Sequence, residues 1–168
     1  MTLTTTVGGA ASDSYVTLAE WTTYIGLNIT QTSMDGHGHD ESHEMNLRRA
    51  AQWLDSLNWV GIRQYETQAL TWPRLTSKYI DGWAINSDTV PQLIKDAQCE
   101  LAYLLHEGAD PWATVTGGAV KATEVSAGPV STKTEYANFR ETPRYVGVMA
   151  MLKPYLKAGA GQVRTVRG

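Results

Sequence analysis

The chain has 168 residues and a mass of 18.4 kDa, the size of one compact domain. Hydrophobic residues make up 42 % of it, and its 6 Trp and 8 Tyr can build a core, so a wholly disordered chain is excluded. A net charge of −3 argues against a protein whose main task is to neutralise phosphates, and a single cysteine excludes a disulfide framework. No apolar run approaches the roughly 20 residues that cross a bilayer, and the start has no basic region, so we expect neither membrane insertion nor secretion.

Two helices are predicted in the first third of the chain. Thr17 and Glu20 have the spacing of a capping box, so the first helix begins after Thr17, and it fades at Gly26. The second helix is predicted over residues 42–57, where apolar residues recur at steps of three and four.

Two further helices are predicted in the rest of the chain. The third helix has Pro91 in its first turn, Asp88 or Thr89 as its cap, and Gly108 at its end. The last helix is predicted over residues 145–155.

Between these helices lie two stretches of a different character. Residues 58–88 are dense in Trp, Tyr, Gly and Pro without a clean period, so we expect a packed irregular segment with one helical turn. Residues 119–137 alternate small or apolar with polar residues around a central Ala-Gly-Pro, which predicts a β-hairpin.

The predicted fold class is mainly α, a small bundle of about four helices with one β-hairpin and extended arms at both ends. Residues 1–13 form a flexible N-terminal arm, residues 14–156 the helical domain, and residues 157–168 a basic C-terminal arm.

Charge is distributed unevenly along the chain. Residues 1–47 contain six acidic residues and no Lys or Arg, whereas residues 143–168 contain five basic residues and no acid. The five basic residues are Arg144, Lys153, Lys157, Arg164 and Arg167. This polarity suits head-to-tail pairing of copies or two ends with different partners, and the alternative is a drift in terminal composition.

A cluster of histidines is the sharpest chemical motif. His37, His39 and His43 lie within seven residues and are flanked by carboxylates, which are ligand types that zinc prefers. The alternative is a solvated loop in which Asp40 or Ser42 caps the following helix.

A second candidate is the segment Gln-Ala-Leu-Thr-Trp-Pro-Arg at residues 68–74. Its aromatic and basic residues could form a base-stacking platform for a single strand. Alternatively, Trp72 anchors the core and Arg74 is a paired surface charge. The sequence favours this alternative, because its basic residues do not cluster around the tryptophans.

Enzymatic motifs are not found. The glycine pair at residues 117–118 lacks the spacing of a phosphate loop, and Cys99 lies in a predicted buried helix. We therefore expect no enzymatic activity and no cofactor.

An ordered set of motifs carries a resemblance over residues 14–136. The motifs are Ser14-Tyr15-Val16, Arg49-Ala50-Ala51, Trp59-Val60-Gly61, the segment containing Gln68, Leu70, Trp72, Pro73 and Arg74, Asp81-Gly82, and Val90-Pro91. Together they resemble a family of tailed-phage proteins, the putative DnaT-like family, which is similar to head–tail connector (adaptor) proteins.

The resemblance implies a structural protein of the bacteriophage virion, with roles in virion assembly and viral genome ejection. Such a connector is a homo-oligomeric, dodecameric ring in the neck, between the portal protein and the next neck or tail protein. DNA passes through its channel with non-specific contacts. It is made in the host cytoplasm and resides at the head–tail junction of the virion. The basic residues Arg144, Lys153, Lys157, Arg164 and Arg167 would then form a portal-docking arm.

Two other functions are kept open. One is a single-stranded-DNA-binding accessory protein that uses Trp72, Trp83 and Arg74. The other is a metal-dependent hydrolase centred on His37, His39 and His43.

Overall fold

A computed structural model shows a mainly α-helical chain, as predicted. The residues that it describes are 2–28, 40–112, 120–126, 131–136 and 145–157. They form two compact units, one made of Met1–Ala109 with Tyr145–Gly168 and the other of Asp110–Arg144. The described residues contain four α-helices and three two-stranded antiparallel sheets.

All four predicted helices are present. They are α1 (Leu18–Asn28), α2 (Asp40–Asp55), α3 (Gln92–His106) and α4 (Val146–Leu152), the last followed by a 3₁₀ turn at Lys153–Tyr155. The capping box of α1 is confirmed, since the Thr17 amide donates to Glu20 Oε2 at 2.7 Å and the Glu20 amide donates to Thr17 Oγ1 at 3.1 Å.

The ends of the other helices differ in detail from the prediction. Pro91, and not Asp88 or Thr89, is the N-cap of α3, because the helix begins directly after it. Gly108 ends that helix with φ +88°, a conformation that costs glycine little. The α4 helix tightens into its 3₁₀ turn at Pro154, which has no amide hydrogen to continue the α-helical pattern.

The core of the helical unit lies between α2 and α3. Leu47 and Leu54 from α2 and Leu101 from α3 are fully buried in it. Trp21 of α1 is buried there too, and its indole donates to the Cys99 carbonyl at 3.1 Å. The helices thus pack through the apolar faces that their spacing predicted.

Residues 58–88 contain two short sheets and no helical turn, so that part of the prediction is wrong. Strand β1 (Ile62–Arg63) pairs with β2 (Arg74–Leu75), and β3 (Tyr79–Ile80) pairs with β4 (Trp83–Ala84). Asp81 and Gly82 join the last two strands with φ of 51° and 84°, the left-handed geometry of a two-residue hairpin turn. This part of the chain therefore contains a two-residue hairpin turn instead of the predicted helical turn.

The other unit contains the predicted hairpin. Strand β5 (Val120–Ser126) pairs antiparallel with β6 (Ser131–Tyr136), from Val120 opposite Tyr136 to Ser126 opposite Ser131.

The first residues of the chain, predicted as a flexible arm, form a closed loop. The Thr4 amide donates to Asp13 Oδ1 at 2.7 Å, and the Asp13 amide donates back to the Thr4 carbonyl at 2.9 Å. Arg48 of α2 reaches Asp13 at 2.6 Å, and the Ala69 amide donates to the Gly9 carbonyl at 3.1 Å. Residues 4–13 are thereby tied to α2 and to the segment that precedes Trp72.

A buried amide joins three parts of the helical unit. Gln98 of α3 is 0 % exposed, and its Oε1 accepts from the Tyr15 amide at 3.0 Å. Its Nε2 donates to Ser14 Oγ at 2.8 Å and to the Leu47 carbonyl at 2.9 Å. Each polar atom of this side chain has a hydrogen-bond partner, and these bonds compensate for the hydration that the amide loses on burial.

A second buried contact joins Tyr15 to the end of α2. The Tyr15 hydroxyl donates to the Asp55 carboxylate and accepts from the Trp72 amide at 3.2 Å, while the Thr71 amide donates to Asp55 at 3.1 Å. Burial, followed by the charge of Asp55, raises the pKa of Tyr15 well above its ordinary value. Burial also raises the pKa of Asp55, against the opposing effect of the hydrogen bonds that it accepts from Tyr15 and Thr71.

The raised pKa of Tyr15 predicts a specific loss of stability in alkali. The folded state holds the phenol proton more tightly than the unfolded chain, so this contribution is complete below pH 10.0 and declines as the pH rises further. The Tyr15→Phe variant lacks the hydroxyl and should be about 1–3 kcal/mol less stable at neutral pH. Urea unfolding between neutral pH and pH values above that point should show the difference between the two proteins narrowing. A constant difference would contradict the assignment.

A matched pair of glycines tests the packing of β1 against β2. Gly61 has φ +73°, and a Cβ there would overlap the Leu75 carbonyl oxygen and lie 2.8 Å from Thr76 Cβ. Gly61→Ala should therefore reduce the free energy of unfolding by at least about 2 kcal/mol. Gly26 in α1 has open space around it, so Gly26→Ala should raise that free energy by about 0.5–1 kcal/mol. Thermal unfolding of both variants measures the contrast.

Candidate functional site

The distinctive segment at residues 68–74 lies in the interior of the helical unit. Gln68 is buried, and its Oε1 accepts from the Tyr65 amide at 2.9 Å. Its Nε2 donates to the carbonyls of Leu70 at 2.8 Å and Pro73 at 3.1 Å. The amide side chain therefore holds the loop in shape, including the cis Trp72–Pro73 bond.

Trp72 is a core side chain, which excludes it from a binding surface. It is 1 % exposed, and its ring packs edge-on against Trp59 at a centroid distance of 5.6 Å and against Tyr155 at 5.8 Å. The hypothesis that Trp72 stacks on a base is wrong, because a ring that stacks on a base needs at least one face open to solvent, and Trp72 is buried.

Arg74 is also directed inward, so it is neither a DNA contact nor a paired surface charge. The residue is 9 % exposed. Its guanidinium donates to the carbonyls of Val60 at 2.7 Å, Gly61 at 2.7 Å and Thr71 at 3.3 Å. Burial lowers the pKa of Arg74, and these carbonyl dipoles compensate for the lost hydration. The side chain is a structural clamp on the chain around β1.

The two most exposed aromatic side chains of this region lie on the β3–β4 hairpin. Trp83 is 80 % exposed and Tyr79 is 66 % exposed. Trp83 lies opposite Ile80 in the register, and Tyr79 lies opposite Ala84. Ile80 is partly buried against the core and anchors the hairpin. Directly opposed residues share a face of an antiparallel pair, so Trp83 lies on the face of Ile80 and Tyr79 on the other face. The anchored hairpin therefore presents one large aromatic ring to solvent on each of its faces.

Lysines lie beside this hairpin. Lys78 precedes β3, and its ammonium donates to the Pro154 carbonyl in the C-terminal 3₁₀ turn. That turn is held in place by the Val60 amide, which donates to the Tyr155 carbonyl at 3.0 Å. Lys153 begins the turn and Lys157 follows its last residue by two positions, and both are exposed.

We call this group of five residues the hairpin surface: Lys78, Tyr79, Trp83, Lys153 and Lys157. Asp81 at the hairpin tip is the nearby carboxylate, and its charge adds to burial in raising the pKa of Tyr155. Exposed aromatic rings and lysine ammonium groups on adjoining segments can bind a flexible polyanion with planar groups.

The five basic residues predicted as a docking arm fall into two groups. Lys153 and Lys157 belong to the hairpin surface, while Arg144, Arg164 and Arg167 lie outside the described residues. Tyr79 and Lys78 were not among the predicted site residues. The sequence Tyr-Ile-Asp-Gly-Trp at residues 79–83 carried a usable signal, since Asp-Gly between β-forming residues marks a hairpin.

The histidine cluster gives no metal centre in the described part of the chain. His37 and His39 lie outside it. His43 is in α2, and its ring packs between Trp21 at 4.9 Å and His106 at 5.3 Å. Among the described residues, no group of three His, Cys, Asp or Glu side chains is placed to hold a metal ion.

Two further features concern reactivity and membranes. Burial raises the pKa of the Cys99 thiol to about 12, so this side chain is protonated at neutral pH. No helix in the described ranges has the length and apolar character needed to cross a membrane.

The fold and the hairpin surface define a small, mainly α-helical protein that presents aromatic rings beside lysines. Over residues 1–168 the chain matches the family described as putative DnaT-like ssDNA binding protein, and it belongs to that family. No curated protein and no solved structure matches it.

Family membership confirms the resemblance to the putative DnaT-like family and corrects the function drawn from it. The prediction of a head–tail connector is wrong: the family is described by single-stranded-DNA binding, which was the alternative. The net charge of −3 was the argument against that alternative, and it averages an acidic start and a basic end. The expectations of a ring, a portal partner and a virion location depend on the connector resemblance and stay untested predictions.

The clamp formed by Arg74 predicts that lysine cannot replace it. Arg74→Lys retains the charge but cannot reach three carbonyl groups at once, so the free energy of unfolding should fall by about 2–3 kcal/mol. Arg63 is the cross-strand neighbour of Arg74 and is exposed. Arg63→Lys should change that free energy by less than about 0.5 kcal/mol. Chemical denaturation of both variants would refute the clamp if their losses were equal.

Proposed function

We propose that the protein binds single-stranded DNA through the hairpin surface. Trp83 and Tyr79 stack on bases, and the ammonium groups of Lys78, Lys153 and Lys157 contact phosphates. The observation that carries the proposal is the 80 % exposure of Trp83 on an anchored hairpin, which Lys78 joins to the turn that begins at Lys153. The description of the family supports it from an independent direction.

Stacking is a suitable source of affinity for an acidic chain. An aromatic ring stacked on a base contributes about 1–3 kcal/mol and does not require a high positive charge. Exposed Trp and Tyr side chains lose little hydration energy when a base covers them, and each ring has only two side-chain torsions to fix.

The lysines supply the electrostatic part of the contact. An ammonium group has three donors, so Lys78 keeps two after it donates to the Pro154 carbonyl. Lys153 and Lys157 extend the positive potential along the C-terminal turn. Since every base has a π face and every nucleotide a phosphate, we expect binding with little sequence preference and with no covalent step.

Titration of a fluorescein-labelled oligothymidylate at low salt, followed by anisotropy, tests the aromatic part. Trp83→Ala should weaken binding by about 5- to 150-fold, because one stacked base is lost. Trp83→Phe should retain most of the affinity, since it keeps a ring. Trp112 is also an exposed tryptophan, in the other unit, and Trp112→Ala is the matched control that should bind as the wild type does.

The salt dependence of the same titration tests the lysines. Lys153→Gln and Lys157→Gln should each reduce the slope of log K against log salt by about 0.7, the value for one phosphate contact in a single strand. Lys95 lies on α3, outside the hairpin surface, and pairs with Glu20 at 3.1 Å. Lys95→Gln therefore removes one positive charge that does not belong to the proposed contact, and it should leave the slope unchanged. Absence of binding by the wild type at low salt, or unchanged binding by Trp83→Ala, would reject the proposal.

A further inference from the structure

A groove lies between α1 and α3. No residue of the hairpin surface lines it. It has a volume of about 540 Å³. Val16 and the buried Cys99 contribute apolar surface to it, and Leu27, which is 80 % exposed, lies at the end of α1. An exposed leucine side chain beside a groove can be buried when a partner binds there.

The charged residues that line this groove are two carboxylates and one lysine, which gives a formal charge of −1. Glu20 and Asp96 line it, together with Lys95, which pairs with Glu20 at 3.1 Å. The Tyr24 hydroxyl donates to Glu100 at 3.5 Å. Burial raises the pKa of Tyr24 to about 12, and the charges of Glu100 and Asp96 add to that effect, which is the sign of a negative potential. We call this site the acidic groove.

The end of the same chain has the complementary chemistry. Residues 158–168 contain Arg164 and Arg167 and no acidic residue. Each arginine follows a valine, with Val163 before one and Val166 before the other. A segment that alternates apolar and cationic residues matches a groove with apolar walls and carboxylates.

We propose that the acidic groove binds residues 158–168 of a second copy of the chain, so that the protein associates with itself. The segment follows Lys157, whose amide donates to the Asn58 carbonyl at 2.9 Å, whereas the groove is formed by α1 and α3. Since the two contact surfaces differ, the association is heterologous. This proposal does not depend on DNA binding, and its test contains no DNA.

Sedimentation velocity of the full chain over a range of concentrations, at low salt, is the test. Asp96→Lys reverses a groove charge at small risk to folding, because Asp96 only accepts an exposed hydrogen bond from Gln92 at 2.9 Å. Glu20 is avoided because it caps α1. The double variant Arg164→Glu/Arg167→Glu reverses the segment. Circular dichroism verifies that each variant is folded.

Each reversal should weaken self-association by about 2- to 30-fold, and the combination of both should restore it. Glu66 is an exposed carboxylate outside the groove, so Glu66→Lys makes the same charge change and should associate as the wild type does. Added salt should also weaken association, because screening shortens the reach of exposed charges.

Three results would overturn the proposal. The wild type could be monomeric at every concentration, as it would be if the segment occupied the groove of its own copy. The two reversals could leave association unchanged. The combined variant could associate no better than the single ones, which would show that the groove and the segment do not contact each other.

Discussion

The hydrogen bond from the buried Tyr15 hydroxyl to Asp55 is the contact on which the rest of the helical unit depends. Asp55 is the last residue of α2, and its carboxylate also accepts from the Thr71 amide at 3.1 Å. The Trp72 amide donates to the Tyr15 hydroxyl at 3.2 Å. One buried pair therefore fixes the N-terminal segment, the end of a helix and the central loop against each other, and removal of either partner would leave buried polar groups unsatisfied.

The position of the hairpin surface follows from that loop. With Trp72 in the core, Arg74 is directed at the carbonyls of Val60 and Gly61. The Val60 amide in turn holds the C-terminal 3₁₀ turn through the Tyr155 carbonyl, and Lys78 joins the hairpin to the same turn. The buried residues thus carry no ligand themselves. In the proposed function, they position the exposed rings and the lysines on a preformed support, which would lower the entropy cost of binding a flexible strand.

The helices were predictable because each contains several turns of apolar residues at one spacing, and because Thr17 and Glu20 identify a start by local chemistry. The strands at residues 62–84 could not be predicted from alternation, since two residues are too few to show it, and only the Asp-Gly pair at residues 81–82 marked a turn between two of them. The burial of Arg74 also could not be predicted, because its acceptors at residues 60 and 61 are brought to it by tertiary folding. Of the proposed binding residues, Trp83 was predicted as a contact for single-stranded DNA. Lys153 and Lys157 were predicted as part of a portal-docking arm. Tyr79 and Lys78 required the hairpin.

The net charge of the chain is a poor guide to the partners that its individual surfaces can bind. A net charge of −3 describes the field at a distance, whereas contacts form within about 10 Å, beyond which salt screens exposed charges. At that range, a ligand at Lys153 and Lys157 meets two exposed ammonium groups, and a ligand at Glu20 and Asp96 meets two carboxylates. A polyanion and a cationic segment would therefore each find a favourable surface on the same nearly neutral molecule. The separation of charge between surfaces, and not its sum, determines what such a protein can bind.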